Sequence, residues 1–364
     1  MKKRGFMPGI HSRLLYKVAG LMLVFACALM VLAPAHAAKK SAGKVVVYNW
    51  SEYIPQKVMD DFTKETGIEV VYSTFEANEA MIAKVKLMQG KGYDVVVPSS
   101  YFLDIMKEDD LIQKIDHSKL PNLAQIDPKW LNKDFDPNNE YSVPYMWGVL
   151  GLAYNTKYIK PEQLTSWADL TRPEFKGKLI MTDDLRDAFC VGMKAKGRSC
   201  VDAAGEDIEL GYQFLRDLKP SIRIFDVTAI KQALISEEVW AGPIWNGDYL
   251  VAAEENKNLA FLFPKEGVPL WMDNFVITKG AENVANAHTF INYMLRPEVA
   301  VQCVEEYQYS TPNKGALELL DEETRNNRIL LPQEEELQKA EFTEAAGPAL
   351  NIYQKFWEIL KTGK

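Results

Sequence analysis

Short apolar runs alternate with helix-period stretches over the first third of the chain. Residues 45–48, 68–73 and 95–97 are continuous apolar or β-branched runs that predict buried strands. Between them, residues 55–66 and 78–89 carry apolar side chains at helical spacing. This β-α-β-α-β order predicts a parallel sheet covered by helices.

A second unit of the same kind follows an irregular segment at residues 121–139, which is rich in Pro, Asn and Asp. Strands are predicted at 149–155, 178–181, 241–245 and 259–263, and helices at 185–196, 208–218 and 229–235. Residues 271–278 are extended and would return the chain to the first unit. Helices are then expected at 283–295, on to about residue 306, and at 347–360, the last with Ile352, Phe356 and Ile359 facing the core.

The N-terminus has the pattern of a secretory leader. Five basic residues precede or flank an apolar run at 18–32, and Ala35-His36-Ala37 is a small-residue cleavage site. The run of about 15 residues is shorter than the roughly 20 that a membrane-spanning helix needs. We therefore expect a signal peptide over residues 1–37 and a periplasmic location; an uncleaved anchor, or a lipoprotein modified at Cys27, remain alternatives.

Removal of this leader makes the chain more acidic. The full sequence has 42 basic and 50 acidic residues, and the leader holds five basic and no acidic ones, which leaves a formal net charge of −13. An acidic secreted protein of about 325 residues is a poor nucleic-acid binder and is long enough for two lobes.

Cysteine and histidine usage limits the chemistry. Cys190, Cys200 and Cys303 remain after the leader; the first two could form a disulfide or all three could be free thiols. Only His117 and His288 remain, far apart in sequence. We expect no metal site, no cofactor and no serine–histidine hydrolase.

Aromatic and acidic residues concentrate at predicted strand ends. Trp50, Ser99, Asp184 and Trp245 each follow a predicted strand, and Trp271-Met272-Asp273 pairs an aromatic ring with a carboxylate. Ligands of open α/β sheets lie beyond the carboxyl ends of the strands. Because aromatic faces attract cations and carboxylates neutralise ammonium groups, the pattern predicts a cleft for a slender organic cation.

Nine short motifs from residue 45 to the C-terminus resemble the periplasmic polyamine-binding proteins, the substrate-binding components of spermidine/putrescine ABC transporters. They are Tyr-Asn-Trp-Ser-Glu-Tyr from Tyr48, Phe-Thr-Lys-Glu-Thr-Gly from Phe62, Val-Pro-Ser-Ser-Tyr from Val97, Phe-Asp-Pro-Asn-Asn from Phe135, Thr-Asp-Asp from Thr182, Ile-Trp-Asn-Gly from Ile244, Pro-Lys-Glu-Gly from Pro264, Trp-Met-Asp from Trp271 and Thr-Pro-Asn from Thr311.

The resemblance implies an α/β type II periplasmic binding protein fold, with two α/β lobes and a ligand cleft between them. Lobe 1 would comprise residues 44–149 and 273–317, and lobe 2 residues 150–272 and 318–364. It also implies a polyamine ligand, an inner-membrane ABC permease with its ATPase subunit as partners, and a monomer that is not an enzyme. The ligand-binding positions that it implies are Trp50, Ser51, Glu52, Tyr53, Ser99, Tyr101, Asp184, Asp187, Trp245, Trp271, Asp273 and Tyr309.

Within this set, Asp273 would neutralise the middle of the ligand. Asp184 and Asp187 would hold one end, and Glu52, with Ser51 and Ser99, the other. Purely structural roles are also open to these residues. The tryptophans could belong to the core, Tyr53 and Tyr101 could be rim residues that pack on their own lobes, and Asp183, Asp184 and Asp187 could be first-turn carboxylates that favour the helix dipole.

Some positions depart from the family pattern. Asp187 stands where relatives commonly have Glu, Thr343 where Gln is frequent, and Val227 where a small polar residue is usual. Asp248 offers a carboxylate suited to a shorter diamine. The resemblance favours spermidine, with putrescine close behind.

Three other functions compete with polyamine transport. A secreted hydrolase could use Glu52 and Asp273 as its acid–base pair. The same fold could bind a sugar, an amino acid, iron or thiamine. The closed protein could also serve a signalling partner.

Overall fold

The computed structural model describes residues 42–363. The predicted signal peptide at residues 1–37 lies outside this range. Within it, no helix has both the length and the apolar character that crossing a membrane would require.

Strands form one mixed sheet. Their bounds are β1 Lys44–Trp50, β2 Glu69–Phe75, β3 Val95–Val96, β4 Ile112–Gln113, β5 Ser142–Asn155, β6 Leu179–Met181, β7 Ile222–Phe225, β8 Ala241–Trp245, β9 Leu259–Leu262, β10 Pro269–Thr278 and β11 Glu341–Phe342. The order across the sheet is β2-β1-β3-β10-β5-β8-β6-β7, with β4 and β11 beside β10 and β9 beside β5.

The predicted parallel arrangement of the first three strands is confirmed. β1 lies between β2 and β3 and is parallel to both. β10 then joins this group antiparallel to β3. In the second half, β6 is parallel to β7 and β8. The sequence pattern did not predict β4, β7 and β11, of two to four residues each, because so few residues show no clear period.

The long strand β5 links the two halves of the sheet. Residues 142–149 pair with β10, whereas residues 150–155 pair with β8 and β9. Every residue of β5 is buried. The strand that β5 pairs with thus changes between residues 149 and 150, and the lobe limits stay a prediction.

Helices cover the sheet. Their bounds are α1 Gln56–Thr66, α2 Asn78–Leu87, α3 Leu103–Glu108, α4 Leu185–Ala195, α5 Gly205–Leu218, α6 Ile230–Ile235, α7 Asn246–Glu255, α8 Val284–Met294, α9 Pro297–Tyr307, α10 Lys314–Leu319, α11 Glu322–Arg325, α12 Glu334–Leu337 and α13 Leu350–Thr362. Gly67 ends α1 with φ +76°, and its N–H donates to Thr63.

The irregular segment 121–139 contains two short 3₁₀ turns, at Pro121–Gln125 and Pro128–Trp130. In α13 the fully buried residues are Tyr353 and Leu360. Ile352 and Phe356 are half-buried and pack against the core as predicted, and Ile359 is half-buried. Phe356 stacks on Tyr212 of α5, so this helix packs mainly against another helix.

Cysteine pairing, left open by the sequence, is resolved in the structure. Cys190 in α4 forms a disulfide with Cys200. Cys303 in α9 is a buried free thiol. The disulfide ties the middle of α4 to the loop that leads to α5, and so stabilises the second half of the molecule by restricting its unfolded chain.

Candidate functional site

Strand β10 places a ring and a carboxylate on the same face. Side chains alternate along a strand, so Trp271 and Asp273 point one way and Met272, which is fully buried, points the other. The register of β10 against β5 shifts between Asp273 and Asn274, beside Pro144. Because proline has no N–H for the ladder, this irregularity is expected at that point.

The Asp273 carboxylate is held by two hydroxyl groups. Tyr53 and Ser99 each donate a hydrogen bond to it at 2.6 Å, one to each oxygen. Ser99 and Asp273 also form an isolated backbone bridge. Asp273 is only 4% exposed, so a charged carboxylate here depends on these donors and on any cation that approaches it.

Burial raises the pKa of Asp273 from 3.8 to about 7, and the hydrogen bonds from Ser99 and Tyr53 oppose that rise. In the ligand-free protein the carboxyl group is therefore partly protonated near neutral pH. A bound ammonium group would favour the charged form.

Asn78, at the start of α2, orients two of the expected site residues. Its amide nitrogen donates to Ser99 Oγ at 3.1 Å and to Tyr101 Oη at 2.9 Å, and its oxygen accepts from the Ser99 N–H at 3.2 Å. The sequence pattern identified Asn78 only as a helix start. The signal that could have identified its second role is a polar residue at the end of the loop after β2.

Aromatic rings line the approach to Asp273. The ring of Tyr309 lies edge-on to both Tyr53, at 5.7 Å between centroids, and Trp271, at 5.3 Å. These arrangements are the ones that aromatic pairs favour. Two glycines leave room for the rings: a Cβ on Gly148 would lie 2.6 Å from Trp271 Cζ2, and one on Gly247 would lie 2.5 Å from the Tyr309 ring.

A second acidic group lies at the start of α4. Asp184 caps this helix by accepting from the Asp187 N–H at 2.9 Å, and Asp187 is the acidic residue of its first turn. Asp187 is buried, and its carboxylate accepts from Trp245 Nε1 at 3.2 Å. Burial, and then the neighbouring charge of Asp184, raise the pKa of Asp187 well above its ordinary value.

The helix-dipole role expected for Asp183 is wrong, because this residue precedes the cap. Its carboxylate instead forms an ion pair with Lys361 at 2.5 Å.

Trp50, which ends β1, and the two residues after it contact other partners. The Trp50 ring packs on Phe75 at 4.5 Å, and Ser51 Oγ donates to Glu76. Glu52, in the left-handed region at φ +50°, pairs with Lys231 at 2.8 Å. The structure thus groups Tyr53, Ser99 and Asp273 by direct hydrogen bonds, but it does not give Ser51 or Glu52 such a bond to Asp273.

Thr343, one of the departures from the family pattern, follows β11. It is 4% exposed, and its N–H donates to the carbonyl of Leu270, next to Trp271. Among residues 42–363, the Thr343 hydroxyl, Trp50 Nε1 and Trp271 Nε1 have no hydrogen-bond partner.

The described residues include no group of three or more His, Cys, Asp or Glu side chains suited to a metal ion. His288 is satisfied structurally: its Nε2 accepts from the Asp116 N–H and its Nδ1 contacts the Val284 carbonyl.

A buried carboxylate among aromatic rings, where the two halves of a mixed α/β sheet join, defines a two-lobed solute-binding protein. The family model for bacterial extracellular solute-binding proteins matches residues 57–330. The chain belongs to this family.

Individual relatives agree with that assignment. The chain is 42% identical over 317 residues to the spermidine/putrescine-binding periplasmic protein of Escherichia coli (strain K12), covering 87% of this chain and 91% of that protein. It is 31% identical over 339 residues to the putrescine-binding periplasmic protein PotF of the same organism, covering 87% and 91%. The crystal structure of the spermidine/putrescine ABC transporter substrate-binding protein PotD from Streptococcus pneumoniae superposes with a TM-score of 0.78 at 36% identity, covering 88% and 99%.

Proposed function

We propose that this protein captures a linear polyamine in its cleft and delivers it to an ABC transporter. The observation that carries the proposal is the buried Asp273 carboxylate, which two hydroxyl groups hold among aromatic rings. Burial raises the pKa of Asp273 to about 7, because water no longer stabilises its negative charge. An ammonium group would supply that stabilisation, so the buried carboxylate favours the binding of a cation. Relatives at 42% and 31% identity bear polyamine names.

Each expected site residue has a role in this proposal. Asp273 neutralises an ammonium group in the middle of the site, and the methylene segments lie against aromatic walls that add roughly 0.5–2 kcal/mol per ammonium–ring contact. Asp184 and Asp187 bind one end of the polyamine. Glu52 and Ser51 lie at the other end of the site, and Ser99 supports Asp273 at its centre. The walls are Trp50, Tyr53, Tyr101, Trp245, Trp271 and Tyr309.

The protein acts by closure of its lobes. A ligand that contacts both halves of the sheet favours the closed arrangement, and the closed form then docks on an inner-membrane permease that works with an ATPase subunit. The chain is secreted as a monomer to the periplasm after cleavage of residues 1–37. It returns its ligand unchanged and catalyses no reaction.

A thermal-shift panel tests the class of ligand. The protein, produced with its own leader and purified from the periplasm, would be melted with putrescine, cadaverine, spermidine, spermine, sugars and amino acids. Stabilisation by polyamines alone is expected, growing with ligand concentration as mass action requires. Stabilisation by a sugar or an amino acid alone would refute the proposal.

A further inference from the structure

A lysine of the protein itself lies between two carboxylates at one side of the site. Lys231 Nζ is 2.8 Å from Glu52 Oε2 and 3.3 Å from Asp248 Oδ1. Lys231 belongs to α6 and Asp248 to α7, both in the second half of the molecule, whereas Glu52 follows β1 in the first half. The Lys231 and Asp248 side chains are 26% and 16% exposed, whereas Glu52 is 71% exposed, so the cluster is partly buried on the Asp248 side and open to solvent at Glu52.

The cluster is continuous with the aromatic walls. Burial raises the pKa of Asp248, while the charge of Lys231 and then a hydrogen bond from Tyr309 oppose that rise. The Tyr309 ring in turn contacts Tyr53 and Trp271. Asp248 therefore lies one side chain away from the rings that surround Asp273.

The other acidic group lies beyond Asp273 in the opposite direction. Ser99 connects Asp273 to Asn78, and Asn78 connects Ser99 to Tyr101. Burial first, then the charge of Asp184, raises the pKa of Tyr101. Direct contacts thus order the site as the Lys231 cluster, Tyr309, Asp273 and Tyr101, and the carboxylates of α4 act on Tyr101 by their charge.

The site has three acidic groups, and they differ in whether a positively charged side chain of the protein lies beside them. Glu52 and Asp248 have Lys231 between them at ion-pair distance. Asp273 has hydroxyl donors only. At α4, the charge of Arg186 favours ionised Asp184 and Asp187, but its guanidinium group lies over the Tyr353 ring at 4.7 Å.

We propose that Lys231 is a built-in terminal cation that occupies one end of the site, so that the protein selects a diamine over a longer triamine. This inference rests on the proposed function. Two ammonium groups then remain to be supplied by the ligand, one at Asp273 and one at the carboxylates of α4. A third ammonium group would have to displace Lys231 or lie beside it, and like charges at such short range repel. The preference is the reverse of the one that family resemblance favours.

Lys231→Met tests this directly, because methionine keeps most of the length and removes the charge. By isothermal titration calorimetry, the wild-type protein is expected to bind putrescine at least about tenfold more tightly than spermidine. In K231M the ratio of the two dissociation constants is expected to move at least about tenfold toward spermidine. Lys231→Arg should keep the wild-type order because it keeps the cation.

Lys157→Met is the matched control, since Lys157 also forms a lysine–glutamate ion pair, with Glu237 at 2.5 Å, without a contact to the aromatic walls. It should leave both affinities unchanged. In the K231M background, Glu52→Gln should reduce the gain for spermidine, because the freed carboxylate is then lost. This double variant shows whether spermidine gains affinity because its ammonium group takes the place of Lys231 beside Glu52, or because the whole cleft has changed.

An unchanged ratio in folded K231M, or an equal gain for both ligands, would overturn the role of Lys231 while leaving polyamine binding intact. Failure of both the wild-type protein and K231M to bind either polyamine would instead overturn the proposed function. Wild-type protein that prefers spermidine would also contradict the inference.

Discussion

Burial of Asp273, the carboxylate proposed to bind the ligand, has a cost in stability. The carboxyl group is almost fully buried, and its pKa rises from 3.8 to about 7. The folded protein therefore holds a proton on this group between about pH 4 and 7, where the unfolded chain has released it. The contribution of Asp273 to stability accordingly falls as the pH rises through this interval.

Asp273→Asn should separate these two effects. The amide cannot neutralise an ammonium group, so polyamine affinity should fall by about 100-fold or more. Above pH 7 the ligand-free variant should be more stable than the wild type, by up to about 4 kcal/mol, because a shift of one pKa unit corresponds to about 1.4 kcal/mol. Urea unfolding at pH 5 and pH 8 measures this; a variant that is equally or less stable at both pH values would contradict it.

Polyamine binding should also release protons. Ligand ammonium groups favour the charged form of Asp273, so affinity should rise as the pH increases toward about 7, by up to tenfold per pH unit, and then level off. Asp187, whose pKa burial also raises, adds to the release. Titrations in buffers of different ionisation enthalpy would count the protons; affinity independent of pH from 5.5 to 8 would argue against a titrating carboxylate in the site.

Residue-scale roles were predictable where local sequence determines them. Trp271 and Asp273 share a face because strand side chains alternate, and this could be inferred from three consecutive residues. The contacts of Asn78 were not identified, because its partners Ser99 and Tyr101 lie more than 20 positions away. Lys231 likewise meets Glu52 across 179 positions, a contact that only the fold creates.

At the scale of elements, two strands and their glycines shape the cleft. β5 packs against β10, with Gly148 opposite Trp271 in the register. A Cβ on Gly148 would come within 2.4 Å of Asn246 Oδ1 as well as 2.6 Å of the Trp271 ring. Asn246 Oδ1 also accepts from the Val149 N–H, so it has little freedom to move.

Gly148→Ala should therefore displace the Trp271 ring. We expect a loss of about 1–3 kcal/mol in the free energy of unfolding, as for other overpacked sites, together with weaker polyamine binding. Gly205→Ala is the control, because its Cβ would meet only the end of the Ile352 side chain, at 3.3 Å. Denaturant unfolding and calorimetry of both variants check this; wild-type affinity in G148A would show that the ring position does not matter.

The start of α4 shows why element boundaries are hard to place from sequence. Three aspartates at positions 183, 184 and 187 each suit a helix start by composition. Only the backbone geometry distinguishes Asp184, which caps the helix, from Asp183, which lies one position too early and pairs with Lys361. Predicted strands and helices longer than about seven residues were confirmed, whereas strands of two to four residues were often missed.

At the scale of the whole molecule, the two halves meet along β5 and β10 and through the Lys231 cluster. The two halves of β5 pair with different strands, with β10 up to residue 149 and with β8 from residue 150. The Glu52–Lys231 ion pair joins the halves on the cleft side. The fold class was predictable because the alternation of strands and helices specifies an α/β sheet. The Glu52–Lys231 ion pair was not, because it depends on how the two halves of the molecule come together.

Ligand binding should make the molecule more compact. If the two halves close over a polyamine, the radius of gyration from small-angle X-ray scattering should decrease when putrescine is added. Glucose should leave it unchanged and serves as the control. An identical scattering profile with saturating putrescine would contradict closure as the response to ligand.

Calorimetric titration of putrescine and spermidine into the wild-type protein and its Asp273→Asn variant tests the central claim most directly. We expect saturable 1:1 binding of a polyamine to the wild-type protein and a loss of at least about 100-fold in the variant, while the variant remains folded by circular dichroism. Wild-type affinity in folded D273N, or absence of polyamine binding by the wild-type protein, would contradict the account.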